Sequence, residues 1–101
     1  MAQKAVTWTK TASNQLHQIL ECWVDRNGTS RYSLKLLDLV ENRTSGIAEN
    51  PLICKPSVFP ETRVASMGNY SLYYKVIDTK IIITAFWDNR QNPKKLVEML
   101  K

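Results

Sequence analysis

The sequence holds one histidine, two cysteines and three glycines in 101 residues, and it has no long apolar run. Each shortage excludes something. His17 has no partner at helical metal-ligand spacing, and Cys22 and Cys54 form no C-x-x-C pair, so no zinc ligand set exists and no metal or cofactor is expected. His17 reads as a solvated helix position. Two cysteines cannot knit a disulfide scaffold. The glycines form neither a Walker loop nor a dinucleotide fingerprint, and no G-x-S-x-G elbow occurs. No stretch approaches the roughly 18 consecutive apolar residues of a membrane span. The opening MAQKAVTWTKTASNQLHQIL lacks the apolar centre of a signal peptide, so the expected compartment is the cytoplasm. Both thiols are then expected free and partly buried. The sequons at Asn27, Asn42 and Asn69 carry no meaning without a secretory route. Any catalysis must fall to Lys, Arg, Tyr or a carboxylate.

What is present is positive charge. Fourteen Lys and Arg against nine Asp and Glu give +5. Residues 1–50 are net +1 and residues 51–101 net +4, so the surplus lies in the second half. Such a field attracts polyanions or acidic proteins. An apolar fraction of 44% and a charged fraction of 23% are ordinary for a globular chain. The length fits a single domain, residues 1–101, with one core.

Residues 4–9 favour a short strand, through Val6, Thr7 and Trp8. Thr9 or Thr11 can cap a following helix. Ala12, Leu16, Ile19, Leu20, Trp23 and Val24 then recur at spacings of three and four, which predicts a helix over 10–26 ended by Asn27-Gly28. Ser30 opens a second helix over 30–45, with Tyr32, Leu36, Leu37 and Val40 as its stripe and Gly46 as its stop. So short a link predicts an antiparallel helical hairpin. Pro51, Pro56 and Pro60 make residues 47–60 a connecting loop. Three β-rich segments follow, 62–67, 70–77 and 80–87, divided by Gly68-Asn69 and Asp78-Thr79, which predict tight hairpins. Asn92-Pro93 resembles a helix start, so the tail 94–101 is expected as a short basic helix. The fold class is α+β: an N-terminal strand and helical hairpin on a mainly antiparallel four-stranded sheet, with a short C-terminal helix.

Two-residue turns set Tyr74 opposite Arg63 on one side and Ile83 on the other. One sheet face then carries Ala65, Leu72, Tyr74, Ile81, Ile83, Ala85 and Trp87, with Arg63 among them, and should pack on the helices. The other carries Tyr73, Lys75, Ile82, Thr84 and Phe86 and stays partly open. A bulge near Gly68 would move Arg63 to the open face.

The order strand, two helices, three antiparallel strands, with RVASMGNYSLYYKVID and IIITAFWDNRQNP, resembles the RelE/ParE superfamily of bacterial toxins. Three pieces carry the likeness: the opening VTWTKTASNQLHQIL; Arg63 followed by Gly68, Tyr70, Tyr74 and Val76; and a last strand ending in Trp87 and Arg90 before a basic tail. The resemblance implies a toxin of a type II toxin–antitoxin pair, often serving plasmid stabilisation and neutralised by a cognate antitoxin. RelE-like members are mRNA interferases that cleave message on the ribosome; ParE-like members block DNA gyrase without hydrolysis. Alignment on Tyr70 puts Ser71 where RelE-like enzymes carry an arginine, and Thr62 and Val64 near their two lysines. No tyrosine follows Tyr74, and the histidine of the YoeB-like branch is absent. The candidate catalytic residues are Arg63, Arg90, Lys75 and Tyr73: two guanidiniums for phosphate, an ammonium for developing charge, a phenol to stack or donate a proton. Lys55, Lys94 and Lys95 are the candidate nucleic-acid contacts. Arg63 could equally pair with Glu61 or Asp88, Lys75 could be a solvated strand residue, and Tyr73 could merely pack. Outside the family, the alternative is a non-toxic, small, basic RNA-binding module.

Overall fold

A computed structural model describes residues 5–91. The expected helix at 94–101, with Lys94 and Lys95, lies outside the described residues. The chain runs β1 (Ala5–Trp8), α1 (Lys10–Asn27), α2 (Arg31–Glu49), β2 (Lys55–Pro56), β3 (Arg63–Met67), β4 (Tyr70–Ile77) and β5 (Lys80–Asp88). Of the two candidate caps, Thr9 is the one used: its Oγ1 accepts a bond from the Ala12 amide at 3.1 Å. Gly28 ends α1 at φ +71°, a conformation glycine adopts without Cβ strain, and its amide donates to the Val24 carbonyl at 2.8 Å. Ser30 makes no side-chain cap bond. The Ser33 hydroxyl instead ties the hairpin together, donating to the Leu20 carbonyl at 2.7 Å.

Gly46 does not stop α2, which continues to Glu49. Ile47 and Ala48 are buried at 1% and 4% exposure. Burying an isoleucine is worth roughly 1.5–3 kcal/mol, more than the roughly 1 kcal/mol a helical glycine costs. The stop is Asn50, which leaves the helical region at φ −139° and ψ 80° before Pro51, since a following proline disfavours the helical conformation.

The sheet has five strands, in the order β1-β5-β4-β3-β2. The fifth, β2, is a two-residue edge strand inside the proline loop, too short to leave a periodic signal. β1 pairs with β5 in parallel and the other neighbours are antiparallel. Both hairpin turns hold two residues, with Gly68 and Asp78 at positive φ as primed turns require. Arg63 pairs with Tyr74, and Tyr74 with Ile83, as the turn lengths imply.

The irregularity lies in β5 rather than near Gly68. Tyr74 faces Ile83 while Tyr73 faces Ala85, leaving Thr84 as the extra residue of a bulge. Every side chain beyond it changes face. Phe86 enters the core against the helices, stacked on Tyr70 with ring centroids 5.4 Å apart. Ala85 and Trp87, expected there, instead form a second cluster with Phe59 and Tyr73 on the opposite face. The bulge is held by hydrogen bonds. The Phe86 amide donates to Gln15 Oε1 at 2.9 Å, and Thr84 Oγ1 donates to the Tyr73 carbonyl at 3.3 Å. The main core is Leu16, Leu36, Val40, Ile47, Leu72, Tyr74, Ile81 and Ile83 between helices and sheet. Cys54 is buried and Cys22 exposed, so the expectation of partial burial for both fails at Cys22, which lies off the α1 stripe.

Candidate functional site

The face of the sheet turned away from the helices displays two cross-strand rows. Lys55, Val64, Tyr73 and Ala85 make one, and Lys75, Ile82 and Thr7 the next. Tyr73 is half-buried, edge-on to Phe59 with centroids 5.5 Å apart. Burial pushes its phenol above the ordinary tyrosine range, against a smaller opposing effect of the Ser71 hydroxyl. It can therefore donate a proton at neutral pH but not accept one. Lys75 borders a cleft of about 360 Å³ lined by Thr9, Thr62, Thr84 and Phe59. Three of these hydroxyls already donate to backbone carbonyls: Thr9 to Thr84, Thr62 to Pro60, and Thr84 to Tyr73. Sequence reasoning missed this cleft, because its wall Phe59 stands in an irregular loop; the bulge at Thr84 was the other unread element.

Arg63 is on the helix face. Its Nη1 donates to the Cys54 carbonyl at 2.6 Å, and next to it the Tyr74 hydroxyl donates to the Pro51 carbonyl at 2.9 Å. These two side chains pin the loop leading from α2 to β2. Burial raises the Tyr74 phenol well above its usual range, helped by Cys54, with Arg63 opposing. Neither Glu61 nor Asp88 is the partner of Arg63.

Asp88 belongs to Arg90. The guanidinium grips it in bidentate fashion, Nε to Oδ1 at 3.0 Å and Nη2 to Oδ2 at 2.8 Å. The Arg90 amide adds a bond to Oδ1 at 2.9 Å. The side-chain bonds to Arg90 hold the Asp88 carboxyl below its ordinary value, despite some desolvation. The arginine side chain is 52% exposed. Asp88 sits opposite Tyr70, whereas Arg63 sits opposite Tyr74. Measured along β4, which stands between them, the two positions are four residues, about 13 Å, apart.

The four sequence candidates thus divide. Tyr73 and Lys75 share the open face, with Lys55 in the Tyr73 row. Arg63 points to the helices, and Arg90 lies at the far end beside Asp88. Among the described residues no group of three or more His, Cys, Asp or Glu side chains could hold a metal ion. No described helix is long and apolar enough to cross a membrane.

The family model described as the ParE toxin of the type II toxin–antitoxin system parDE matches residues 6–93. No curated protein matches the chain. Among solved structures, one similar chain comes from the chromosomal ParDE toxin–antitoxin system of P. aeruginosa. It is 20% identical with a TM-score of 0.72, over 83% of this chain and 94% of that one. Another comes from the toxin–antitoxin complex RelBE2 of Mycobacterium tuberculosis. It is 24% identical with a TM-score of 0.61, over 84% of this chain and 96% of that one. At these identities the likeness is one of fold.

Proposed function

Because this chain belongs to the family of ParE toxins of type II toxin–antitoxin systems, we propose that it arrests growth by binding DNA gyrase in the cytoplasm, without chemistry of its own, and that a cognate antitoxin neutralises it. The observation that carries this reading is the separation of its basic groups. Cleaving RNA without a metal requires a base for the 2′-hydroxyl, cations on the phosphate and an acid for the leaving oxygen, all within hydrogen-bond reach of one reacting centre. Here one arginine is spent on the Cys54 carbonyl and the other on Asp88, about 13 Å apart along β4. The open face offers Lys75, a phenol that stays protonated, and Lys55 and Lys80 toward its margins, with Ser71 and Ala85 flanking Tyr73, and among the described residues it carries no arginine. A binding function makes no such demand, since it needs only a shaped and charged surface.

The test is to add purified toxin to ribosomes programmed with message. The expected result is intact message beside arrested growth in cells expressing the same chain. Cleaved message whose rate falls about a hundredfold on Arg90→Ala or Lys75→Ala, the usual loss for one oxyanion contact, would overturn the binding reading.

A further inference from the structure

We propose that the loop between β2 and β3, with the groove against it, is a self-complementary surface through which two copies of this chain pair about a two-fold axis. The inference rests on this corner of the fold and not on the reading above.

The loop comes first. Backbone bonds close its base, from the Ser57 amide to the Thr62 carbonyl at 2.8 Å and from the Thr62 amide to the Phe59 carbonyl at 3.3 Å. Side chains brace it from within. The Ser57 hydroxyl donates to the Thr62 carbonyl at 2.8 Å and accepts from the Phe59 amide at 3.1 Å. The Thr62 hydroxyl donates to the Pro60 carbonyl at 3.0 Å. Pro56 and Pro60 each fix their own φ. Glu61 is held at φ +55°, a left-handed conformation that a glutamate adopts only where its surroundings impose it. A loop so firmly built loses little freedom on binding. It holds out Val58, which is 91% exposed.

The groove comes second. About 530 Å³ lies against the loop, with Leu52, Val76 and Arg63 in its lining and Val58 and Glu61 bordering it. Leu52 is 66% exposed. The two most exposed large apolar side chains among the described residues therefore border one groove. A single exposed apolar residue is ordinary, whereas two beside one groove make a patch. Arg63 spends Nη1 on the Cys54 carbonyl, and among the described residues neither Arg63 nor Glu61 takes part in an ion pair.

Each copy thus carries both halves of one contact. The projection bears an apolar side chain and a carboxylate; the groove bears an apolar wall and a guanidinium. Because the two halves adjoin, a two-fold axis beside them satisfies both at once. Val58 of each copy enters the groove of the other, against Leu52 and Val76, and each Glu61 meets the other copy's Arg63. Pro56 has no N–H to offer along the β2 edge, so side chains rather than an added strand hold the copies together.

The experiment is sedimentation velocity on the full chain, from about 1 μM to about 500 μM, with Val58→Asp and Glu61→Arg beside it. Both positions are exposed, and unchanged melting temperatures would show that both variants fold. The native chain should pass from monomer to dimer with a midpoint on the order of micromolar, since one loop and one groove make a small interface. Each variant should weaken the dimer by about tenfold or more, the scale of a buried interface contact. A native chain that stays monomeric at the highest concentration would overturn the inference. Native-strength pairing in either variant would also overturn it, because the copies would then meet without that contact. The measurement reads self-association alone, so its failure would leave the gyrase reading standing.

Discussion

Arg63 and Arg90 look alike in the sequence, each a cation at the end of a β-rich segment, and they do different work in the fold. Arg63 donates to the Cys54 carbonyl in a partly buried position. Replacing it with alanine should cost about 1.5–3 kcal/mol in urea unfolding, the range for a hydrogen bond to a charged group. Arg90 grips Asp88 at the surface, where screening leaves little net gain. Arg90→Ala should leave the urea midpoint almost unmoved. The pair still gives a signed pH dependence. Asp88 has a folded-state value below its ordinary carboxylate value. Its small contribution is therefore whole above about pH 4 and lost as pH falls through the lower folded value. Comparing the acid limb of stability for the native chain and Asp88→Asn should show the native chain losing slightly more on acidification. A variant curve parallel to the native one throughout would contradict the assignment. Nothing in the order of residues distinguishes these roles, because the Arg63 acceptor is a backbone carbonyl nine positions away in an irregular loop.

At the level of elements, most of the fold could be read from spacing. The period of three and four in α1, the Gly28 stop, the two-residue hairpins and the Arg63–Tyr74–Ile83 register all follow from local chemistry. The bulge could not be read. The run Ile81-Ile82-Ile83-Thr84-Ala85-Phe86-Trp87 is apolar at both parities, so alternation does not say which of Phe86 and Trp87 faces the helices. Gln15 favours Phe86 from α1 by accepting a hydrogen bond from the Phe86 amide. Gln15→Leu should therefore cost about 1–3 kcal/mol, since it leaves a buried donor unpaired. An unchanged unfolding free energy would contradict that role. Thr9→Ala should cost about 1 kcal/mol through loss of the α1 cap, readable in the same unfolding experiment. The candidate site was half legible for the same reason. Tyr73 and Lys75 fall on the open face by simple alternation, whereas Phe59 and Trp87 reach it only through a loop and a bulge.

On the scale of the whole molecule, the fold is that of a small toxin whose family counterparts are made with an antitoxin, and its chemistry-bearing side chains are dispersed over two faces and one end. Dispersed cations suit recognition of a large acidic surface better than stabilisation of one transition state, because long-range steering adds over all of them while oxyanion stabilisation needs contact. The central claim is that this chain binds DNA gyrase rather than cutting RNA. The direct measurement is gyrase-driven supercoiling of relaxed plasmid, titrated with purified toxin. The account predicts that supercoiling falls as toxin rises and returns when antitoxin is added in equal amount. Full supercoiling at every toxin concentration that arrests growth would contradict it.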